Sequence, residues 1–174
     1  MNEPHDIHDD LVDDLDAGTS AKKLGIFGSR SLRDERVKII ILEELDACGA
    51  DTIVTTQEPL GVCTVAQNVA KTEHYILELH FLNFHYRAGA FEHRSDAVIA
   101  ASDRILLIHD GVSKGTANEL KRVELAVKPY KYVTLRHEPD RKPIDYKLDS
   151  FVAFKTDNAN ADDMIFDPAV WRID

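Results

Sequence analysis

Residues 103–119 read Asp-Arg-Ile-Leu-Leu-Ile-His-Asp-Gly-Val-Ser-Lys-Gly-Thr-Ala-Asn-Glu, and they constrain the fold more than any other stretch. Residues 104–108 carry an apolar run with two isoleucines, the length of a buried strand. Residues 109–114 then supply turn chemistry: Asp110-Gly111, Ser113, and Gly115 just beyond. From Ala117 the spacing becomes helical, with Leu120, Val123, Leu125, Ala126 and Val127 as the expected apolar face and Pro129 as the stop. Strand, glycine-bearing loop and helix is the unit that places a ligand at the carboxyl end of a strand in an open α/β sheet. The helix N-terminus there presents free N–H groups and a positive dipole end, which suit phosphate. A plainer reading stands beside this one. Thr116-Ala-Asn-Glu119 fits a capping box, with Thr116 as N-cap and Glu119 reaching back to its amide.

The same alternation runs through the chain. Strands are expected at 24–27, 52–56, 75–79, 104–108 and 130–135. Helices are expected at 33–48, 61–71, 94–102 and from 117, with Gly49 stopping the first. Repeated βα order predicts an α/β, Rossmann-like three-layer fold around a mainly parallel five-stranded sheet of order about 3-2-1-4-5. The first and fourth strands then flank the switch point, and Gly28-Ser29-Arg30 and residues 111–116 share one rim. Gly28 allows close backbone approach to a ligand, while Ser29 and Arg30 offer a hydroxyl and a guanidinium fork.

Both ends differ from the middle. Residues 1–20 are acidic, with Ile7, Leu11, Val12 and Leu15 among six aspartates, and read as a flexible tail. His5 and His8 there fit a solvated tail better than a metal site. Residues 21–136 form the expected domain. Residues 137–174 read as an extension packing on it: a polar connector, a hairpin or edge strand within 144–155, and Met164, Ile165, Phe166, Val170 and Trp171 as docking side chains, with Trp171 as an anchor or a cover for the cleft. Residues 80–93 hold Phe81, Phe84, Tyr86 and Phe91 among His80, His85 and His93. Such aromatics stack on a base in some sites and more often pack in the core. The histidines lack metal-ligand spacing.

The net charge of −10 argues against nucleic acid or an anionic membrane surface as partner. Cys48 and Cys63 lie in apolar helical contexts and suggest neither a disulfide framework nor a zinc site. No run reaches membrane-span length, so the expected location is the cytoplasm; no metal or cofactor is expected.

The opening Leu24-Gly-Ile-Phe-Gly28-Ser29-Arg30 resembles the first strand and loop of the SLOG superfamily. These are Rossmann-like nucleotide binders that include the LOG "lysine decarboxylase-like" phosphoribohydrolases, DprA and the YspA/YpsA-related group. Asp110-Gly-Val-Ser-Lys-Gly115-Thr116 resembles the second ligand loop of the YspA-related branch. The resemblance covers roughly residues 24–135. It implies a nucleotide or nucleoside-derivative site at Gly28, Ser29, Arg30, Thr55, Thr56, Gly61, Asp110, Gly111, Ser113, Gly115 and Thr116, and a homodimer. A gapless alignment puts Arg94 and Glu119 on the LOG catalytic arginine and glutamate. Arg94 would orient the sugar-phosphate. Glu119 would assist departure of the base by stabilising the cationic sugar or steering water. Asp110-Gly111, Gly115-Thr116, Glu119 and Lys128-Pro129 also resemble nucleoside 2-deoxyribosyltransferases and deoxynucleotide N-hydrolases, where the glutamate acts on the glycosidic carbon.

One departure stands out. Where the family has a glycine-rich phosphate loop, this chain has Thr55-Thr56-Gln57-Glu58-Pro59-Leu60, with Gly61 alone remaining. Glu58 is expected to repel an anion, and Pro59 removes a donor. Three outcomes stay open: a ligand shifted toward Ser29, Arg30 and Ser113, a ligand without phosphate, or a degenerate fold that binds a partner and performs no catalysis.

Overall fold

The structure, a computed structural model, describes residues 22–144 together with the backbone of 154–155 and 163–166. Strands β1 (Lys23–Gly28), β2 (Thr52–Thr56), β3 (Ile76–His80), β4 (Arg104–His109) and β5 (Tyr130–Thr134) pair in parallel, in the order β3-β2-β1-β4-β5. Two short antiparallel strands, β6 (Phe154–Lys155) and β7 (Asp163–Phe166), continue the sheet beyond β3, with β7 next to it. The helices are α1 (Glu35–Cys48), α2 (Val62–Thr72), α3 (Ala90–Ala101) and α4 (Lys114–Leu125). This is the three-layer Rossmann-like arrangement expected from the βα alternation. The acidic tail with its two histidines, and the docking side chains around Trp171, lie outside the described residues.

Alternation along the strands decides the layers. Leu24, Ile26, Ile53, Leu77, Leu106 and Ile108 face one side and bury against Val37, Ile41 and Leu45 of α1 and Val62, Val65 and Val69 of α2. Phe27, Val54, Ile105 and Leu107 face the other and meet Val98 and Ile99 of α3 and Val123 of α4. Both faces of the central strands are apolar, as a covered parallel sheet requires.

Two glycines set how closely the loops pack. A Cβ on Gly28 would lie 2.5 Å from Val62 Cβ and 2.6 Å from the Ile108 carbonyl oxygen. Gly61 has φ +80°, and a Cβ there would lie 2.3 Å from Arg30 Cα. The β1–α1 and β2–α2 loops therefore touch at backbone distance, which only glycine permits.

Several boundaries differ from the sequence reading. Helix α3 begins at Ala90, four residues early, after a 3-10 segment at Phe84–Gly89 with a kink at Arg87. Phe84, Tyr86 and Phe91 are exposed rather than core. On α4, Val123 is buried, but Leu125 and Val127 are 84% and 86% exposed, which corrects the expected apolar face. The reason is local. The helix ends at Leu125, and Val127 takes φ +56°, turning the chain into β5 with both side chains outward.

A β-branched residue in the left-handed region costs about 1–2 kcal/mol, and an exposed one recovers little of it by burial. Val127→Gly is therefore expected to raise unfolding stability by about 0.5–1 kcal/mol. Gly28→Ala is expected to lower it by about 2 kcal/mol or more, because the methyl meets buried backbone. Urea unfolding midpoints of the two variants check both signs.

Candidate active site

The first and fourth loops meet at Ser29. Its N–H donates to the Ile108 carbonyl at 3.0 Å, and its own carbonyl accepts from the N–H groups of Leu32 and Val62, each at 3.3 Å. Its hydroxyl accepts from the Asp110 N–H at 3.0 Å and shares a 3.3 Å hydrogen bond with the Thr116 hydroxyl. One buried serine thus ties β1, α2, β4 and α4 together. Asp110 fixes the fourth loop. Its carboxylate accepts from the amides of Val112 and Ser113 at 2.9 and 2.7 Å and from the Ser31 hydroxyl at 2.7 Å. Burial pushes this carboxyl up. Hydrogen bonds from Ser31, Val112, Ser113 and Ser29 outweigh burial and hold it at about 2.

Helix α4 starts one turn earlier than the sequence suggested. Ser113 is the N-cap, and its hydroxyl accepts from the Thr116 N–H. The capping box of Thr116 and Glu119 is thereby corrected, since Thr116 lies inside the first turn and Glu119 lies beyond it. Ser113 takes the cap because Asp110 has already gathered its amide into the loop. His109 braces the same cap. One ring nitrogen, Nε2, donates to the Ser113 carbonyl at 2.9 Å, and Nδ1 lies 2.7 Å from the Tyr132 hydroxyl of β5.

Between the two loops lies a cavity of about 430 Å³. Of the expected site residues, Gly28, Arg30, Arg94, Asp110, Ser113, Gly115, Thr116 and Glu119 line it. Ser29 stands directly behind the wall. Thr55, Thr56, Gly61 and Gly111 do not line it. Thr55 donates to the Ile26 carbonyl and Thr56 to the Cys63 sulfur, both buried. Gly61 is consumed by its contact with Arg30, and Gly111 only supplies the φ +87° turn.

Charge in the cavity is arranged around Glu58. Its carboxylate accepts a hydrogen bond from Arg94 Nη2 at 2.5 Å and forms an ion pair with Arg30 Nη2 at 2.9 Å. The residue expected to repel an anion thus pairs with the two arginines expected to attract one and offsets one of their two charges. Its backbone is held firmly, because its carbonyl accepts from Thr64 Oγ1 at 2.8 Å and Gln67 Nε2 at 3.3 Å. The Phe91 ring centroid lies 5.5 Å from the Arg94 guanidinium carbon, a cation–π contact.

Glu119 projects from α4 into the same space. Burial pushes its carboxyl up, Arg94 opposes that, Glu58 adds to it and Arg30 opposes it; the balance lies at about 8. At neutral pH this carboxyl holds its proton. The Cys63 thiol in the wall is pushed up by burial, so it is a packing group rather than a nucleophile.

Sequence reasoning missed Ser31, Glu92, Ser95, Asn118 and Arg122 in the lining, and weighed Phe91 more as core than as a stacking face. Helical spacing carries a signal for two of them: Ser95 lies four residues beyond Phe91, and Arg122 lies three residues beyond Glu119, each pair on one face. Arg122 also clamps α4 to α3, donating from Nη1 to both Asp96 carboxylate oxygens at 2.7 and 2.8 Å.

Comparison with protein-family models, curated proteins and solved structures returns no match to this chain. Among the described residues, no cluster of His, Cys, Asp and Glu side chains is placed to hold a metal ion, and no helix is long and apolar enough to cross a membrane.

The raised Glu119 carboxyl and the lowered Asp110 carboxyl give opposite pH trends. Between the ordinary glutamate value of 4.5 and about 8, the folded chain holds a Glu119 proton that the unfolded chain has lost. Stability from this group therefore falls as pH rises from 4.5 to 8. Asp110 contributes stability above 3.8 that is lost as pH falls toward 2. Unfolding free energies measured from pH 5 to pH 8 are expected to decline, and Glu119→Gln is expected to flatten the decline. An unchanged slope in that variant would show that the carboxyl is already ionised.

Proposed function

We propose that the cleft binds a nucleotide or nucleoside derivative. The observation that carries this reading is the convergence of two loops, distant in sequence, on one polar cavity at the carboxyl end of the sheet. Its volume of about 430 Å³ falls in the range of small-molecule sites, roughly 300–1,000 Å³. Its wall offers what such a ligand needs. Ser113, Thr116 and Asn118 present sugar-compatible hydroxyl and amide groups, Arg30 and Arg94 present cations, and Phe91 presents a half-exposed aromatic face. The amides of Lys114 and Gly115 open the α4 helix without a hydrogen-bond partner among the described residues, a favourable place for an anionic group. The resemblance of Gly28-Ser29-Arg30 and residues 110–116 to SLOG loops supports the same ligand class. An open, polar cleft speaks against a degenerate scaffold that only binds a protein.

Glu119 favours a second step, hydrolysis of an N-glycosidic bond. A carboxyl that keeps its proton at neutral pH is a general acid. In this reading Glu119 gives its proton to the nitrogen of the departing base as the bond to the sugar carbon breaks. The resulting carboxylate stabilises the cationic sugar. It then takes a proton from the water that adds to that carbon, which restores the acid and leaves free base and free sugar.

Isothermal titration with a panel of mononucleotides, dinucleotides and nucleosides tests binding, and the expected outcome is saturable one-site binding by at least one member. No binding by any member would refute the reading. Glu119→Gln is expected to keep ligand affinity and to lower base release about 10²–10⁴-fold, the usual weight of a general acid. Release at the wild-type rate would remove Glu119 from the chemistry.

A further inference from the structure

Among the described residues Arg94 is the one Lys or Arg that is buried. It is 6% exposed, its guanidinium faces the Phe91 ring, and it lines the cavity. Yet its hydrogen bonding is incomplete. Nη2 donates to Glu58, while Nε is buried and has no acceptor among the described residues. A buried donor without a partner carries the full cost of its lost hydration. Nε and Nη2 form the side-on fork of a guanidinium, the edge that meets both oxygens of a carboxylate or phosphate at once. Glu58 fills only half of this fork, because its other oxygen is spent on Arg30 Nη2 at 2.9 Å.

The backbone of Glu58 is held in place. The hydrogen bonds from Thr64 and Gln67 to its carbonyl, and from its own N–H to the Thr56 carbonyl at 2.8 Å, fix the backbone. Only its side-chain torsions remain to move the carboxylate. The arrangement is a backbone-anchored carboxylate bridging two arginines, one of which retains a buried donor with no acceptor among the described residues.

We propose that Arg94 and Arg30 form a phosphate-binding subsite which Glu58 occupies as an internal carboxylate, and that the phosphate of an incoming ligand takes its place. This rests on the reading of the cleft as a ligand site and specifies its anionic end. The phosphate closes the Nε–Nη2 fork of Arg94 with two oxygens, satisfies the orphaned donor and keeps one oxygen for Arg30. The displaced Glu58 carboxylate rotates toward solvent past Arg30, the more exposed of its two partners. Glu58 thus sets a threshold: the subsite rejects anions that offer one oxygen and admits those that offer two or more. It also explains how a loop without the family's run of glycines is compatible with an anionic ligand. The arginine pair replaces bare backbone as the donor, and Glu58 offsets one of its two charges until the exchange.

Glu58→Gln and Glu58→Asp of the full chain test this, with inorganic phosphate, ribose 5-phosphate and ribose as probes. Glutamine removes the charge, and aspartate shortens the reach. Both variants are expected to bind inorganic phosphate and ribose 5-phosphate about tenfold more tightly than wild type, with ribose unchanged. The Arg94 Nε–H resonance is expected to shift on phosphate addition in all three proteins. Unchanged or weaker phosphate affinity in the folded variants overturns the proposal, as does a static Arg94 Nε–H signal. If phosphate affinity rises in the variants while no nucleotide binds any form, the exchange stands and the nucleotide reading falls. If nucleotides bind but phosphate affinity does not respond to Glu58, the nucleotide reading stands and the exchange falls.

Discussion

Ser29 is the point on which the rest of the site depends. Its backbone joins β1 to β4 and to the start of α2, and its hydroxyl joins the Asp110 amide and Thr116. Those contacts bring together chain segments about 80 residues apart. They work only because Gly28 and Gly61 carry no side chain at the place where the loops cross. A buried hydroxyl with all its bonds made is specific in a way apolar packing is not, since losing one partner leaves the others unsatisfied. The position of Arg30 over the cavity, and of Thr116 and Glu119 beside it, follows from this knot.

Charge is distributed to match. Residues 22–144 hold 18 Lys and Arg against 17 Asp and Glu, a net +1, so the negative charge of the chain resides in the remaining residues. The cleft belongs to a nearly neutral body rather than an acidic one. Within it, Asp110 is committed to loop amides, Glu58 to two arginines, and Glu119 keeps its proton. The carboxyls have three different fates because their neighbours differ: amide and hydroxyl donors around the first, guanidinium groups around the second, and mainly burial around the third. Poised groups of this kind concentrate where chemistry is done.

The fold was largely legible in the chain. Short β-branched runs at 52–56 and 104–108, separated from helical periodicity by turn residues, are enough to impose a parallel sheet. Much of the cleft was legible too, because Gly28-Ser29-Arg30 and residues 110–116 fall on one rim once the strand order is known. Three features resisted. The start of α4 depended on whether Asp110 or Thr116 would claim the nearby amides, a competition that spacing does not decide. Thr55 and Thr56 looked available to a ligand, yet strand packing turned both hydroxyls inward. The role of Glu58 depended on two arginines, 28 residues before it and 36 after, and nothing local announces such a partnership. Leu125 and Val127 deceived for a related reason, since helical periodicity was extended past a helix that ends at Leu125.

The most direct test is a set of amide correlation spectra of the full chain, recorded while nucleoside monophosphates are added. The account predicts that at least one of them shifts a contiguous set of signals at Ser29, Arg30, Glu58, Arg94 and residues 113–119, and leaves the α1 signals unmoved. Shifts confined to other surfaces, or none with any of the compounds, would contradict it.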